Sequence, residues 1–138
     1  MIDIHSHILY GVDDGPKTME ESMAMLEAAA KEGITDLIST SHSGHPLFDV
    51  SSHTVAWQIK RLQQELDKLQ IPLTLHLGHE VRISEQIIQQ CLNKEIHTLG
   101  NSNYFLLELP SSNVPFYTKN IIRELLKIGI TPVIAHPE

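Results

Sequence analysis

A strand, a helix and a second strand are predicted by residues 104–136, which read YFLLELPSSNVPFYTKNIIRELLKIGITPVIAH. The apolar run Tyr104–Leu109 has the length of a buried strand. Thr118–Ile128 carries apolar side chains at helical spacing, and a glycine follows it, as is common where helices end. Ile130–Ala135 is a second apolar run. The segment is therefore typical of a βαβ unit, in which the two strands are parallel.

The same alternation extends toward the amino terminus. A capping box at Thr18 and Glu21 begins one helix, a second begins near Ser51 or Ser52 and ends before Pro72, and Ser84 begins a shorter one. Strands are predicted at Ile2–Ile4, Ile34–Ser39 and Leu73–Leu77, while Ile96–Leu99 is either a short strand or a connector. Because crossovers between parallel strands are right-handed, we expect an α/β fold that is an open doubly wound sheet or a barrel.

The composition narrows the class of protein. The chain has 138 residues and a net charge of −7, with ten Lys and Arg against seventeen Asp and Glu. Its length suits one domain, and its acidic balance argues against nucleic acid or an anionic membrane as the main partner. Cys91 is the only cysteine, so no internal disulfide forms. With no long apolar run and no secretory leader, we expect a cytoplasmic protein without membrane insertion.

The chain contains nine histidines, and most of them follow predicted strands. In α/β folds the carboxyl edge of the sheet is where active sites are built. Clusters of histidine and glutamate at such an edge indicate a shared metal site. The side chains at or just beyond strand ends are His5, His7, His42, His45, His79, Glu80, Glu108 and His136.

The local pattern supports metal ligation at several of these positions. His5 and His7 lie on one face of a strand, because side chains alternate with a period of two. Glu108 stands among leucines, where a carboxylate is rarely left unpaired. A carboxylate can also bridge two cations, which suits a multinuclear centre. Mixed histidine and carboxylate ligands without thiolates favour Mn²⁺ or Fe over structural Zn²⁺.

Other polar residues are expected to have structural roles. His76 alternates within a strand and is predicted to lie in the core, while His53 and His97 are predicted to lie on the surface. The sequence Asp13-Asp14-Gly15 predicts a turn, from which Asp14 could orient a ligand. The chain lacks a Cys-x5-Arg phosphatase motif, a glycine-rich phosphate loop and a nucleophile elbow. Hydrolysis would therefore depend on metal-activated water.

Six segments resemble one known family. In order they are MIDIHSHIL at 1–9, GVDDG at 11–15, KTMEES at 17–22, GHEVR at 78–82, LELP at 107–110 and IAHPE at 134–138. In order and approximate spacing, over essentially the whole chain, they resemble the PHP-type tyrosine phosphatases of Gram-positive bacteria. These are the capsular and exopolysaccharide phosphatases.

The resemblance carries expectations about fold and chemistry. It implies a PHP-type (β/α) barrel with a centre of two or three ions, commonly manganese, with Fe or Zn as the other possibilities. It implies hydrolysis of phosphotyrosine on a partner tyrosine kinase of polysaccharide synthesis. Apart from the resemblance, His42 and Arg82 are the expected catalytic residues, with Arg82 either orienting the phosphate or facing solvent after its strand. Carried over by position, the metal ligands would be His5, His7, His42, Glu80, Glu108 and His136.

The chain departs from the family pattern in two ways. The family usually has Thr-Pro-His-His after its second strand, whereas this chain has Thr40-Ser41-His42-Ser43, which leaves open whether His45 substitutes. Family members also continue past the final motif and supply a further arginine and an Asp-x-His pair. Residues 1–138 are therefore expected to be a PHP-like phosphatase domain without its C-terminal strands.

Two alternatives and one physical consequence follow from that expectation. The chain could be a PHP phosphoesterase acting on a small-molecule phosphate, or an inactive metal-binding fragment. Its last predicted strand, Ile130–Ala135, would lack cover and a neighbouring strand. Because an unpaired strand edge favours association, we expect an oligomer formed through this edge.

Overall fold

Helices and strands alternate along the chain, whose computed structural model describes residues 1–137. The strands are β1 (Ile2–Ser6), β2 (Asp36–Ser39), β3 (Ser41–Ser43), β4 (Thr74–His76), β5 (His79–Arg82), β6 (Tyr104–Glu108) and β7 (Thr131–Ala135). The helices are α1 (Met19–Lys31), α2 (Ser52–Lys68), α3 (Ile87–Leu92) and α4 (Thr118–Lys127), with a 3₁₀ turn at Leu99–Asn101.

The strands of residues 1–137 form two sheets, in the orders β1-β2-β4 and β3-β5-β6-β7. Every pair in both sheets is parallel. Helix α2 packs against β4, and α4 packs against β7. The predicted α/β fold with parallel strands is therefore confirmed, and the carboxyl ends of the strands share one edge of each sheet.

Two strands of the second sheet were not predicted. The strand expected at Ile34–Ser39 is followed by a second short strand, β3, and the strand expected at Leu73–Leu77 is followed by β5. At the second break the chain passes very close to β2, since a Cβ on Gly78 would lie 2.7 Å from Ile38 Cγ2 and 2.8 Å from the Ser39 carbonyl oxygen. Glycine is the residue that permits such an approach.

Several predicted boundaries differ from the structure. Helix α3 begins at Ile87 after Gln86, which makes no capping hydrogen bond, rather than at Ser84. The Thr18 side chain accepts a hydrogen bond from the Glu21 N–H as expected. The Glu21 carboxylate accepts from the Lys17 N–H instead of closing the box on Thr18. The stretch 96–99 is a connector leading into the 3₁₀ turn.

Apolar packing holds the two sheets in place. One cluster of buried side chains joins α1 and α2 to the first sheet, and it includes Leu26, Leu37, Leu62, Leu66 and Leu75. A second joins α3 and α4 to the other sheet, and it includes Val81, Ile87, Phe105, Leu107 and Leu125. Within residues 1–137, no helix combines the length and apolar character needed to cross a membrane.

His76 is not a core residue, contrary to the sequence prediction. Its Nε2 lies 2.9 Å from Asp36 Oδ1, and 37% of its side chain is exposed. The hydrogen bond from His76 lowers the pKa of the Asp36 carboxyl. The alternation that suggested burial places His76 on the outward-facing side of β4, because Leu75 occupies the inward side.

We expect His76→Ala to change the free energy of unfolding little, because exposed ion pairs contribute little to stability. Leu62→Ala, which removes a fully buried side chain, should lower it by about 2–5 kcal/mol. Urea denaturation of both variants measures the difference. An equally large loss in His76→Ala would mean that this side chain supports the fold in a way its exposure does not indicate.

Candidate metal centre

Glu80 is the point on which the strand-end histidines converge. It lies on β5 and is fully buried. Its Oε2 lies 3.2 Å from His5 Nε2 and 3.0 Å from His7 Nε2. The same oxygen lies 3.6 Å from His42 Nδ1, while its Oε1 lies 2.9 Å from His136 Nε2. Histidines from three separate segments of the chain thus meet at one carboxylate on a fourth.

These contacts resemble a ligand set more than a hydrogen-bond network. Neither oxygen of Glu80, nor Nδ1 of His42, has a hydrogen-bond partner of acceptable direction among the described residues. Leaving a buried polar atom unpaired is costly, so such atoms call for an explanation. A cation held between them would satisfy the carboxylate and the ring nitrogens together. The residues present therefore fit a metal ion.

Ligand atoms at this edge fall into overlapping trios. Within each trio the atoms lie within 4.8 Å of one another, and the trios share members. Shared ligands are what a multinuclear centre requires, since a carboxylate can bridge two cations. The trios are His5, His7 and Glu80; His7, Asp14 and His42; His42, His45 and Glu108; and Glu80, Glu108 and His136.

All six predicted ligands belong to at least one of these trios. Their approach to one another is a property of the structure, whereas their role as metal ligands stays a prediction. The strand ends bring them together as the sequence suggested: His5 and Glu108 lie on β1 and β6, and His136 comes directly after β7. Two side chains outside that set, Asp14 and His45, lie equally close.

The electrostatics of the cluster favour positive charge. Burial of His7 opposes its protonation, but its contacts with the Asp13 and Glu80 carboxylates outweigh burial and raise its pKa to about 10. Burial of Glu80 opposes its ionisation, but the rings of His5 and His7 beside it outweigh burial and lower its pKa. Metal cations and protons compete for such ligands, so the field that attracts a proton here also attracts a metal.

Asp13 is the orienting residue that the sequence analysis missed. It is buried, and its Oδ2 lies 3.2 Å from His7 Nδ1 and accepts a hydrogen bond from the His42 N–H at 3.2 Å. Asp14, which was expected to orient a ligand, is exposed, and its Oδ1 lies 3.3 Å from His42 Nε2. Gly15 permits this turn, since a Cβ there would lie 2.7 Å from the His7 carbonyl oxygen.

His79 links two parts of the centre from the opposite face of β5. Because side chains alternate along β5, its ring faces away from Glu80. Its Nε2 donates to the Val50 carbonyl oxygen at 2.8 Å, and its Nδ1 accepts from the His97 N–H at 2.9 Å. The Val50 N–H in turn donates to the carbonyl oxygen of His42 at 2.9 Å. One ring thus links the Glu80 strand to the His42 strand.

The environment keeps His79 neutral, as both of these hydrogen bonds require. Burial lowers its pKa to about 4, so Nδ1 remains an acceptor at physiological pH. His97 was predicted to lie on the surface, but it is half-buried and stacks on His79 with ring centroids 5.3 Å apart. Sequence alone did not reveal this stack because its two rings come from separate segments.

Substitutions of His79 can separate its two hydrogen bonds. Glutamine reaches the position of Nε2 and can keep the bond to Val50, whereas asparagine reaches only the position of Nδ1. His79→Asn loses the bond to Val50, and we expect it to weaken Mn²⁺ binding about ten- to hundred-fold, the usual cost of losing a contact that supports a metal ligand. His79→Gln should bind Mn²⁺ nearly as the wild type does. Calorimetric titration, with circular dichroism to check the fold, measures this. Equal binding by both variants would contradict it.

Arg82 occupies the border of the centre. Its Nε donates to Glu108 Oε1 at 2.8 Å, and its side chain is 20% exposed. Together with His45, Glu108 and His136, it lines a cavity of about 780 Å³ beside the cluster, the active-site cavity below. A guanidinium has five N–H donors, so the contact with Glu108 uses only part of its capacity.

His45 is placed near the cluster as a donor. Its ring centroid lies 4.6 Å from that of His42, and its Nδ1 accepts a hydrogen bond from the Leu47 N–H at 3.0 Å. In a neutral ring whose Nδ1 accepts, the proton resides on Nε2. Because Nδ1 accepts from Leu47, Nε2 of His45 presents an N–H rather than a lone pair.

Comparison with known proteins places these features in a family context. The family model described as capsular polysaccharide synthesis, CpsB/CapC, matches residues 1–138. CapC of Staphylococcus aureus is 40% identical and the tyrosine-protein phosphatase YwqE of Bacillus subtilis 36% identical, each over the whole chain and 54% of the relative. The tyrosine-protein phosphatase CpsB of Streptococcus pneumoniae is 35% identical, over the whole chain and 57% of the relative.

A solved structure agrees with the fold. It comes from crystallographic work on YwqE of Bacillus subtilis and CpsB of Streptococcus pneumoniae, described as metal-dependent tyrosine phosphatases, and it matches with a TM-score of 0.94 at 35% identity. The match covers 99% of this chain and 56% of that one, and it confirms the predicted fold. The chain spans about half the length of the curated relatives it matches.

Proposed function

The chain belongs to the CpsB/CapC family of capsular polysaccharide synthesis proteins, and from that premise we propose that it is a metal-dependent phosphatase acting on phosphotyrosine in a protein. The observation that carries the proposal is the buried Glu80 carboxylate, with four histidines around it and no hydrogen-bond partner of acceptable direction. YwqE and CpsB, which are similar over the whole chain, are tyrosine-protein phosphatases.

The proposed centre contains two or three Mn²⁺ ions, because histidine and carboxylate ligands without thiolates favour Mn²⁺ or Fe. Bound cations would lower the pKa of a water from about 15.7 toward about 7 and neutralise charge on the phosphate. Asp13 fixes the ring of His7 and the backbone of His42, so these ligands are oriented in advance. The residues proposed to hold the metal are His5, His7, His42, Glu80, Glu108 and His136.

Two side chains of the active-site cavity are proposed to contact the substrate. Arg82 would bind the phosphate oxygens through the guanidinium N–H groups that Glu108 does not use. His45 would donate from Nε2 to the leaving oxygen as the phosphorus–oxygen bond breaks. His42, whose ring lies between His7 and His45, would form the wall that joins the ligands to this cavity.

We expect His45→Ala to slow hydrolysis of phosphotyrosine more than hydrolysis of p-nitrophenyl phosphate. A phenolate with a conjugate pKa near 10 needs hydrogen-bond support that the more acidic nitrophenolate does not. Manganese content should remain that of the wild type, since His45 is proposed as a donor. Steady-state kinetics on both esters and elemental analysis measure the two effects. A loss of bound metal would instead identify His45 as a ligand.

The proposed protein substrate is a tyrosine kinase of polysaccharide synthesis, and the proposed location is the cytoplasm.

We also propose that residues 1–138 are a PHP-like phosphatase unit that associates through β7, which pairs only with β6 among the described strands. Pro132 removes one backbone donor from that strand, so the contact would use the remaining edge groups.

Substrate preference tests the proposed function. The chain is incubated with Mn²⁺ and a phosphotyrosine peptide, a phosphoserine peptide or a sugar phosphate, and phosphate release is measured. We expect the phosphotyrosine peptide to be hydrolysed fastest, the activity to disappear with a chelator, and Mn²⁺ to restore it. Faster hydrolysis of the sugar phosphate, or activity that survives chelation, would contradict the proposal.

A further inference from the structure

The loop between β6 and α4 exposes apolar side chains beside the active-site cavity. Phe116 is 92% exposed and Val114 is 69% exposed. They line a groove of about 560 Å³ on the first turns of α4, called the β6–α4 groove below. Phe116 packs only edge-on against the ring of Tyr117, at 5.3 Å between centroids. Most of its ring is therefore available to another molecule.

The groove adjoins the active-site cavity at one shared side chain. Val114 lines both, and the cavity beyond it contains Arg82, Glu108 and His136. A substrate whose phosphate reaches the centre would pass Val114 and extend into the groove. A small phosphate ester would end within the cavity, whereas a peptide chain is long enough to fill both.

The groove is also basic, although the chain as a whole carries a net charge of −7. Lys119 and Arg123 line it, four residues apart and thus on one face of α4. Neither forms a salt bridge with any of residues 1–137. The nearby acidic residue Glu124 pairs with Lys127 instead. Exposed apolar side chains beside two cations complement a segment that carries apolar and acidic side chains.

We propose that the β6–α4 groove binds the peptide segment that flanks the phosphotyrosine, with an apolar side chain on Phe116 and acidic side chains facing Lys119 and Arg123. The inference rests on the proposed phosphatase function and names the class of substrate: a phosphotyrosine in an acidic, partly apolar sequence. A second copy of this chain would match the exposed apolar side chains, but the two cations and the position beside the active-site cavity favour a substrate.

Kinetics on substrates with and without a flanking segment test the proposal. The probes are p-nitrophenyl phosphate, a phosphotyrosine peptide flanked on both sides by leucine and glutamate, and the same peptide with lysine replacing glutamate. We expect Phe116→Ala to raise KM for the acidic peptide about tenfold and to leave KM for p-nitrophenyl phosphate unchanged. Arg123→Glu should raise KM for the acidic peptide and lower it for the lysine peptide.

Matched controls come from exposed residues of α2 and its C-terminus, away from the groove. Leu69→Ala removes an apolar side chain that is 60% exposed, and Lys60→Glu reverses an exposed charge. Neither should change KM for any probe. All variants are compared by size-exclusion chromatography.

The other outcomes overturn the inference. Equal KM values for the acidic peptide in wild type and Phe116→Ala would exclude binding in the groove. A change of oligomeric state in Phe116→Ala without a change in KM would assign the groove to a second copy of the chain. Failure of the wild type to hydrolyse any of the probes would refute the proposed function itself, and this would be evident before any variant is compared.

Discussion

Glu80→Gln is expected to abolish phosphatase activity and to leave the fold intact. Glutamine has the same size, but it replaces one carboxylate oxygen with an NH₂ group and removes the negative charge. The carboxylate contacts His5, His7 and His136 at 2.9–3.2 Å, so no alternative ligand can take its place without moving several strands. We expect kcat/KM to fall at least about a hundredfold, because losing a residue that only supports a metal ligand can already cost that much.

Metal content and stability distinguish this explanation from misfolding. Bound Mn²⁺ should fall in Glu80→Gln, whereas circular dichroism should show the secondary structure of the wild type. In the presence of a chelator the variant should unfold at a lower temperature than the wild type, because the protonated His7 ring loses the Glu80 charge beside it. Glu65→Gln, at a half-buried position of α2 away from the centre, is the matched control and should change neither property. A Glu80→Gln variant that keeps its manganese and its activity would show that Glu80 is not at the centre.

Arg82→Ala is expected to lower kcat/KM about 10²–10³-fold, the usual cost of removing one preorganised donor from a charged reacting group. Arg82 is the arginine that lines the active-site cavity, and its Nε is held by Glu108 at 2.8 Å. Arg82→Lys should recover part of the loss, because an ammonium supplies charge but not the planar fork of donors. Steady-state kinetics on p-nitrophenyl phosphate measure both variants.

The contact with Glu108 requires a control for Arg82. Removing the guanidinium leaves the Glu108 carboxylate without this partner, so metal content has to be measured in the same preparations. We expect Arg82→Lys to retain the manganese of the wild type. Arg61→Ala, which removes a guanidinium that lies over Trp57 on the surface of α2, should leave the kinetics unchanged. Full activity in Arg82→Ala would refute the proposed role in phosphate binding.

Sequence pattern was sufficient for the layout of the fold. The apolar run Tyr104–Leu109 has the length of a buried strand, and the segment after it has apolar side chains at helical spacing. Parallel strands then place their carboxyl ends at a common edge, which is why His5, Glu80 and Glu108 could be grouped before any coordinates were known. The grouping depended on topology and needed no knowledge of side-chain packing.

The features that sequence reasoning missed depend on contacts between distant segments. Strands β3 and β5 are short and polar, and they form because each pairs with a neighbour across the sheet rather than from any local preference. Asp13 had the pattern of a turn residue, and its role emerges only when the turn folds onto His7 and His42. His97 lay in an irregular stretch, and its stack on His79 has no local signal.

Every role proposed above depends on the strand-end histidines and glutamates forming a multinuclear metal centre. The direct test is elemental analysis of the wild-type chain after incubation with Mn²⁺ and removal of unbound ions, with Glu80→Gln prepared in parallel. We expect at least two manganese ions per wild-type chain and a loss of bound metal in Glu80→Gln. Less than one ion per wild-type chain, or equal metal content in the two proteins, would contradict it.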